Sequence, residues 1–181
     1  THLVEALDDD GLVRDQMMTM LIAGHDTSTA QLAWTLYLLG AHPDWMERVQ
    51  TEIRETLGSA LPTPENTRSL TALDQVMKES LRLYPPIHVG SRLASEDVEL
   101  MDYTIPAGTR LMYSIYLVQR HPSFWDNPDD FQPERFAGAY QTRVRPFTYL
   151  PFGGGPRNCI GGAFAQLEAR IALTRMLQVN D

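Results

Sequence analysis

Residue types that could do chemistry are concentrated in one stretch, Phe152-Gly153-Gly154-Gly155-Pro156-Arg157-Asn158-Cys159-Ile160-Gly161, and Cys159 is the only cysteine in 181 residues. A helical pattern follows it. A cysteine just ahead of a helix start feels the positive end of the helix and nearby backbone N–H groups, both of which favour thiolate, the form that binds metal. Arg157, two residues earlier, adds positive charge. Glycines before Cys159 and at Gly161 remove side chains, so that a flat, bulky group could lie against the backbone, and a thiolate is one of the axial ligands of haem iron. The plainer alternative is an inert cysteine buried in a glycine-rich turn. A lone cysteine cannot close an internal disulfide or form a CxxC site, and no Lys-Ser or Lys-Thr follows the glycines as a phosphate loop requires.

Two further groups of residues break local rules. In Ala23-Gly24-His25-Asp26-Thr27-Ser28, a glycine and a carboxylate interrupt an apolar helical run. Gly24 costs about 1 kcal/mol relative to Ala in a helix interior. Ala23 and Thr27 are four apart on one face, which lets the Thr27 hydroxyl reach the Ala23 carbonyl and loosen the helical ladder locally. Glu79 and Arg82, in Glu79-Ser80-Leu81-Arg82, are three apart on one helix face. At a surface such a pair is worth only ~0.2–0.5 kcal/mol.

The elements that must position these residues are read from periodicity. Apolar residues from Leu12 to Leu39 recur at helical spacing until Gly40-Ala41-His42-Pro43, which predicts one long, largely buried helix. Pro43 opens a second, amphipathic helix with Val49, Ile53 and Leu57 on its core face, closed by Gly58. Thr71 and Asp74 resemble a capping box for a third helix carrying Leu73, Met77, Leu81 and Tyr84 on one face, and Pro85-Pro86 end it. Val98–Leu100, Tyr103–Ile105 and Thr109–Tyr113 predict a small sheet, with a turn at Pro106-Ala107-Gly108. From His121 to Pro156 prolines and glycines are frequent and no period holds, so a long ordered connection is expected after a short helix near Ile115–Gln119. Ile160, Phe164, Leu167 and Ile171 define a last helix. Neither end reads as a natural terminus. Thr1-His2-Leu3-Val4 is not a signal peptide or a Met start, and the final helical pattern still runs at Met176–Asp181.

Composition narrows the function. Hydrophobic residues are 43% and charged residues 21%, ordinary for a packed protein. The net charge of -8 argues against a nucleic-acid partner. The longest apolar run, Met17 to Gly24, is too short to span a bilayer and meets His25 and Asp26. Charge is uneven along the chain: residues 131–181 hold six arginines (Arg135, Arg143, Arg145, Arg157, Arg170, Arg175) against Glu134, Glu168 and Asp181. A locally basic face in an acidic chain would steer an acidic partner on encounter. Scattered solvated charges are the plainer alternative.

The order Phe-Gly-x-Gly-x-Arg-x-Cys-x-Gly from Phe152 to Gly161 resembles the haem-binding loop of the cytochrome P-450 monooxygenases. Three other segments follow that family's order. The resemblance implies haem b (iron protoporphyrin IX) as cofactor and Cys159 as its proximal thiolate ligand, with Arg157 on a haem propionate, Phe152 beside the thiolate, and Gly161 in the same loop. Ala23-Gly24-x-Asp26-Thr27 resembles the distal oxygen-binding groove, which implies that Ala23 and Gly24 make room for O2 while Asp26 and Thr27 deliver protons. Glu79-x-x-Arg82 resembles the family's buried pair, joined by Arg135 of Pro133-Glu134-Arg135-Phe136 in a structural network. Ser91-Arg92-Leu93 is similar to a strand that offers Arg92 to a second propionate, and Ile87, His88 and Val89 fall in the stretch that borders substrate, His88 and His25 being given no role. The fold implied is mainly α with a small β-sheet, a partial cytochrome P-450 fold with a long central helix over the haem-thiolate loop. Residues 1–181 then form the carboxy-terminal portion of one catalytic domain.

What the resemblance implies in activity is a monooxygenase that inserts one atom of O2 into a small apolar organic substrate. No Gly-x-Gly-x-x-Gly nucleotide fingerprint is present, so electrons come from an external partner: a ferredoxin, a flavodoxin or a flavin reductase. The location implied is cytoplasmic for a bacterial source, with an anchor conceivable ahead of this portion. Two other readings stay open: a haem-thiolate enzyme that isomerises or dehydrates peroxides, against which Asp26 and Thr27 argue, and an inactive fragment without stable haem.

Overall fold

A computed structural model describes residues 9–138 and 144–179. The chain divides into two compact units, one running to Ser69 and resuming at Ile160, the other spanning Leu70–Cys159.

The first unit is helical. Helix α1 (Asp10–Ala41) is capped by Asp9, whose carboxylate accepts from the Gly11 and Leu12 N–H groups. Helix α2 (Pro43–Leu57) starts on a proline, which has no N–H to leave unpaired. It buries Trp45, Val49, Ile53 and Leu57 along one stripe. At its end Gly58 adopts φ +56°, a left-handed conformation that favours glycine. After a 3-10 turn at Asn66–Ser69 the unit is completed by the last helix, α5 (Gly162–Val179), which packs on both α1 and α2. Gln178 fastens α5 by donating to the carbonyls of Gly58 and Ala60 at 3.1 and 3.0 Å.

Two sequence expectations change in this unit. The long helix forms, but it is not largely buried: Met17, Met18, Met20, Leu21 and Ile22 are 48–65% exposed. Burial is confined to Val13 and to Gln31, Thr35, Leu38 and Leu39 near the end that meets α2 and α5. An apolar run shows that a helix is suited to burial, not that this chain supplies the cover. On α5 the buried stripe is Gly162, Ala169, Leu173, Thr174 and Leu177, while Ile160 and Phe164 face outward. The expected face and the packed face are different sides of one apolar helix.

The second unit opens with helix α3 (Thr71–Leu83), nine of whose thirteen residues are buried. Glu79 through Leu83 are buried without a break, so its last turn is enclosed on every side. Leu70 occupies the N-cap position, one residue ahead of the expected Thr71, and its own side chain makes no capping bond. The strands form two separate antiparallel ladders instead of one sheet. β1 (Val89–Leu93) pairs with β4 (Arg110–Ser114), and β2 (Val98–Leu100) pairs with β3 (Tyr103–Ile105). Gly90 faces Tyr113 across the first ladder, and a Cβ there would run into the tyrosine ring, which would have to swing aside. The one-turn helix α4 (Ile115–Val118) follows, its Ser114 cap accepting from the Leu117 N–H. A 3-10 turn at Pro133–Phe136 packs on α3, and a second spans Gly155–Arg157.

Candidate functional site

The second unit brings three of the expected residues together. Glu79 and Arg82 are both fully buried. Arg82 donates from Nε to Glu79 Oε2 at 2.7 Å and from Nη2 to Oε1 at 2.8 Å, a two-pronged bond in which both carboxylate oxygens are engaged. The remaining guanidinium hydrogens go to backbone: Nη1 to the carbonyls of Gln119 (2.9 Å) and Pro128 (2.7 Å), Nη2 also to that of Asp130 (3.1 Å). Oε1 of Glu79 further accepts the Gln132 N–H at 2.9 Å. The Trp125 ring centroid lies 5.1 Å from the Arg82 guanidinium carbon.

Arg135 joins as the third member. Its Nε is 3.4 Å from Glu79 Oε1, a charge contact longer than a hydrogen bond, and its Nη2 donates to the Asn127 carbonyl at 2.7 Å. Burial lowers the Arg135 pKa and the positive charge of Arg82 adds to that, while Glu79 opposes both. A core holds this many charges only when they are paired and hydrogen-bonded, and here one carboxylate is shared by two arginines. The network therefore stitches α3 to the irregular segment 127–135.

The Cys159 loop lies in the same unit. Gly153 N–H donates to the Leu150 carbonyl at 2.9 Å, Asn158 N–H to the Gly155 carbonyl at 3.1 Å, and Cys159 N–H to the Phe152 carbonyl at 2.8 Å. The last of these closes a turn that has Phe152 at one foot and Cys159 at the other. Gly153 and Gly155 adopt φ +74° and +71°, where a side chain is strained. A Cβ at Gly154 would come within 3.2 Å of Leu150 and 3.4 Å of Phe147, whereas at Gly155 it would meet no heavy atom within 4 Å. Cys159 and Arg157 are exposed, and α5 begins at Gly162.

Among the described residues no group of three or more His, Cys, Asp or Glu is arranged to hold a metal ion. The donor set is thus one accessible thiol on a side-chain-poor turn. Such a set fits a prosthetic group that brings most of its metal's ligands with it and would take a single sulfur donor from the protein.

Arg92 sits on β1 opposite Leu111. It is exposed, donates to the Ser91 carbonyl at 2.8 Å, and lies 5.4 Å from the Tyr113 ring centroid. Ile87, His88 and Val89 are also exposed, with His88 6.0 Å from the Tyr116 ring.

Ala23, Gly24, Asp26 and Thr27 lie on α1, in the first unit. The Thr27 hydroxyl donates to the Ala23 carbonyl at 2.8 Å, as the four-residue spacing predicts, and the helix runs unbroken through it. Thr19, Thr29 and Thr35 make the same bond to residues four earlier, so the bond alone does not set Thr27 apart. Asp26 is paired with His25, Nδ1 to Oδ1 at 2.8 Å, both side chains in solvent.

Sequence reasoning missed the residues that complete the second unit's core. Gln119 is fully buried and makes three side-chain hydrogen bonds. Tyr149 donates its hydroxyl to the Lys78 carbonyl at 3.1 Å, and burial, followed by the carboxylates of Glu79 and Asp74, pushes its pKa well above the usual phenol range. The only signal for either was a polar group beside an apolar run, which is too common to single out.

Known proteins of similar sequence fall in one family. A family model described as cytochrome P-450 matches residues 5–179. Cytochrome P-450 97B2, chloroplastic, of Glycine max is 40% identical over 203 residues, covering 96% of this chain and 35% of that protein. Cytochrome P-450 4d2 of Drosophila melanogaster is 40% identical over 92% of this chain and 34% of its own length, and cytochrome P-450 3A11 of Mus musculus 40% identical over 90% and 32%. The chain belongs to the cytochrome P-450 family, whose members bind haem b. It spans about a third of the length of the curated relatives it matches. Among the described residues no helix is long and apolar enough to cross a membrane.

Proposed function

We propose that this chain is the haem-ligating portion of a monooxygenase acting on a small apolar organic substrate. The observation that carries the reading is the turn closed by the Cys159 N–H on the Phe152 carbonyl, which presents one accessible thiol on glycines held at positive φ. When bound there, haem b with a thiolate ligand supplies reductive activation of O2, one oxygen atom going to substrate and the other to water.

The chain's own residues divide the remaining work. Cys159 would provide the thiolate ligand, with Phe152, whose carbonyl closes the same turn, beside it. Arg157 and Arg92, both exposed cations, would hold the propionates. On α1, Ala23 and Gly24 would leave room for O2, because they carry the two smallest side chains. Thr27 holds a proton on an oxygen already oriented by the Ala23 carbonyl, and Asp26 relays protons to it from solvent. Glu79, Arg82 and Arg135 do no chemistry; they hold the loop segment in place.

Electrons come from an acidic ferredoxin, flavodoxin or flavin reductase that docks on the arginines preceding the Cys159 loop. Of these, Arg145 is exposed, its guanidinium 6.0 Å from the Phe124 ring, and Arg143 lies outside the described residues. The test of the reading is the carbonyl spectrum of the reduced full-length protein. Thiolate ligation gives a red-shifted Soret band, and Cys159→Ala should abolish it.

A further inference from the structure

The last four carbonyls of a helix have no partner within it, and a buried helix end must find them elsewhere. At the buried end of α3 every one is satisfied, and mostly from a distant segment. The Ser80 carbonyl takes the Tyr84 N–H at 2.7 Å. The Leu81 and Arg82 carbonyls share Gln119 Nε2 at 2.9 and 3.0 Å, and the Leu83 carbonyl takes Arg120 Nη2 at 2.8 Å. Gln119-Arg120 is thus a helix cap delivered from 37 or 38 residues downstream.

The other end of the Gln119 amide does something a cap has no need to do. Its Oε1 accepts the N–H of Leu150 at 2.7 Å, and the Leu150 carbonyl in turn accepts the Gly153 N–H at 2.9 Å. Gly153 is the first glycine of the turn closed by Cys159. Beside it, the Tyr149 hydroxyl is tied to α3 through the Lys78 carbonyl. The Gln119 main-chain carbonyl meanwhile accepts from Arg82. One fully buried side chain therefore joins the Glu79–Arg82 helix end to the segment that leads directly into the thiol turn.

We propose that Gln119 is a positioning residue for Cys159: its acceptor oxygen fixes Leu150, and through Leu150 and Gly153 it sets where the thiol stands. This rests on the reading of Cys159 as the axial ligand. Glutamine suits the role because it offers two donors and one acceptor on a neutral group, so a buried site carries no charge penalty.

The test uses the full-length, haem-loaded enzyme. Gln119→Met keeps the volume and removes both hydrogen-bonding ends, leaving the Leu150 N–H and the Leu81 and Arg82 carbonyls without Gln119. At equal haem content, its reduced carbonyl complex should convert from the thiolate-ligated to the non-thiolate form about tenfold faster than wild type, the loss expected from one orphaned buried N–H. Gln119→Glu keeps the acceptor for Leu150 and loses the donors, so it should lower thermal stability while its conversion rate stays near wild type. Equal conversion rates in Gln119→Met and wild type would overturn the proposal. If Gln119→Met does not fold, amide hydrogen exchange of the wild-type holoenzyme decides: the Leu150 N–H should be as protected as the central amides of α3, and exchange a hundredfold faster would overturn it. A wild-type enzyme lacking the thiolate band altogether would instead remove the reading of Cys159 on which the proposal stands.

Discussion

Arg82 meets Glu79 edge to edge, with Nε–Oε2 and Nη2–Oε1 distances of 2.7 and 2.8 Å, and neither side chain has any exposure to solvent. A pair held this way is a poor source of net stability compared with a well-packed apolar core, but breaking it is costly because a lone charge is left inside. Its use is geometric. Two planar groups locked in register, with every remaining proton on a named carbonyl, allow little play between α3 and the segment 119–132.

Removing Glu79 should therefore act on folding. In Glu79→Ala the charge on Arg82 is left without its carboxylate at a cost of about 3–5 kcal/mol, and Arg135 loses its counter-charge. Most or all of the haem-loaded yield should be lost, and Glu79→Gln, which keeps the shape and one acceptor, should recover part of it. Recovery of a stable, haem-replete Glu79→Ala with slowed turnover only would assign Glu79 a chemical role instead.

The Glu79–Arg82 spacing along one helix face and the Phe152–Cys159 loop were legible as residue types at short, fixed spacing, whereas the burial of that pair and its third member Arg135 were read only by resemblance. What was not legible depends on who packs where. Gln119 works through carbonyl and N–H groups 31 to 38 residues away, and backbone groups carry no identity that a sequence could display. The exposure of Met17 to Ile22 is a similar case, since an apolar helix reads as buried whichever surface covers it. Arg92 and Arg157 read as cofactor contacts only by resemblance. As exposed arginines they have no feature of their own that marks a partner.

Thr27 should control where reducing equivalents go. In the full-length enzyme, Thr27→Ala removes a hydroxyl already held on the Ala23 carbonyl, without taking a buried partner away from any other group. Haem and substrate binding should stay near wild type while product per electron pair falls and hydrogen peroxide rises. Thr27→Ser should restore coupling. Complete coupling in Thr27→Ala would take Thr27 out of proton delivery.

Reduction should depend on charge near Arg145. An exposed cation contributes to steering over roughly one Debye length, about 10 Å at 0.1 M salt, so reversal should matter most in dilute buffer. Arg145→Glu should slow first-electron transfer from an acidic partner severalfold at low ionic strength, the difference shrinking as salt rises. An unchanged low-salt rate would move the docking face elsewhere and leave the haem assignment intact.

The identity of the iron ligand is tested most directly by the Soret band of the reduced carbonyl complex in full-length wild type and Cys159→Ala. With the thiol on the turn as the axial donor, wild type should show the red-shifted band of thiolate ligation, and Cys159→Ala should lose it whether or not haem is retained. A Cys159→Ala protein that binds haem and keeps the wild-type band would contradict the account at its centre.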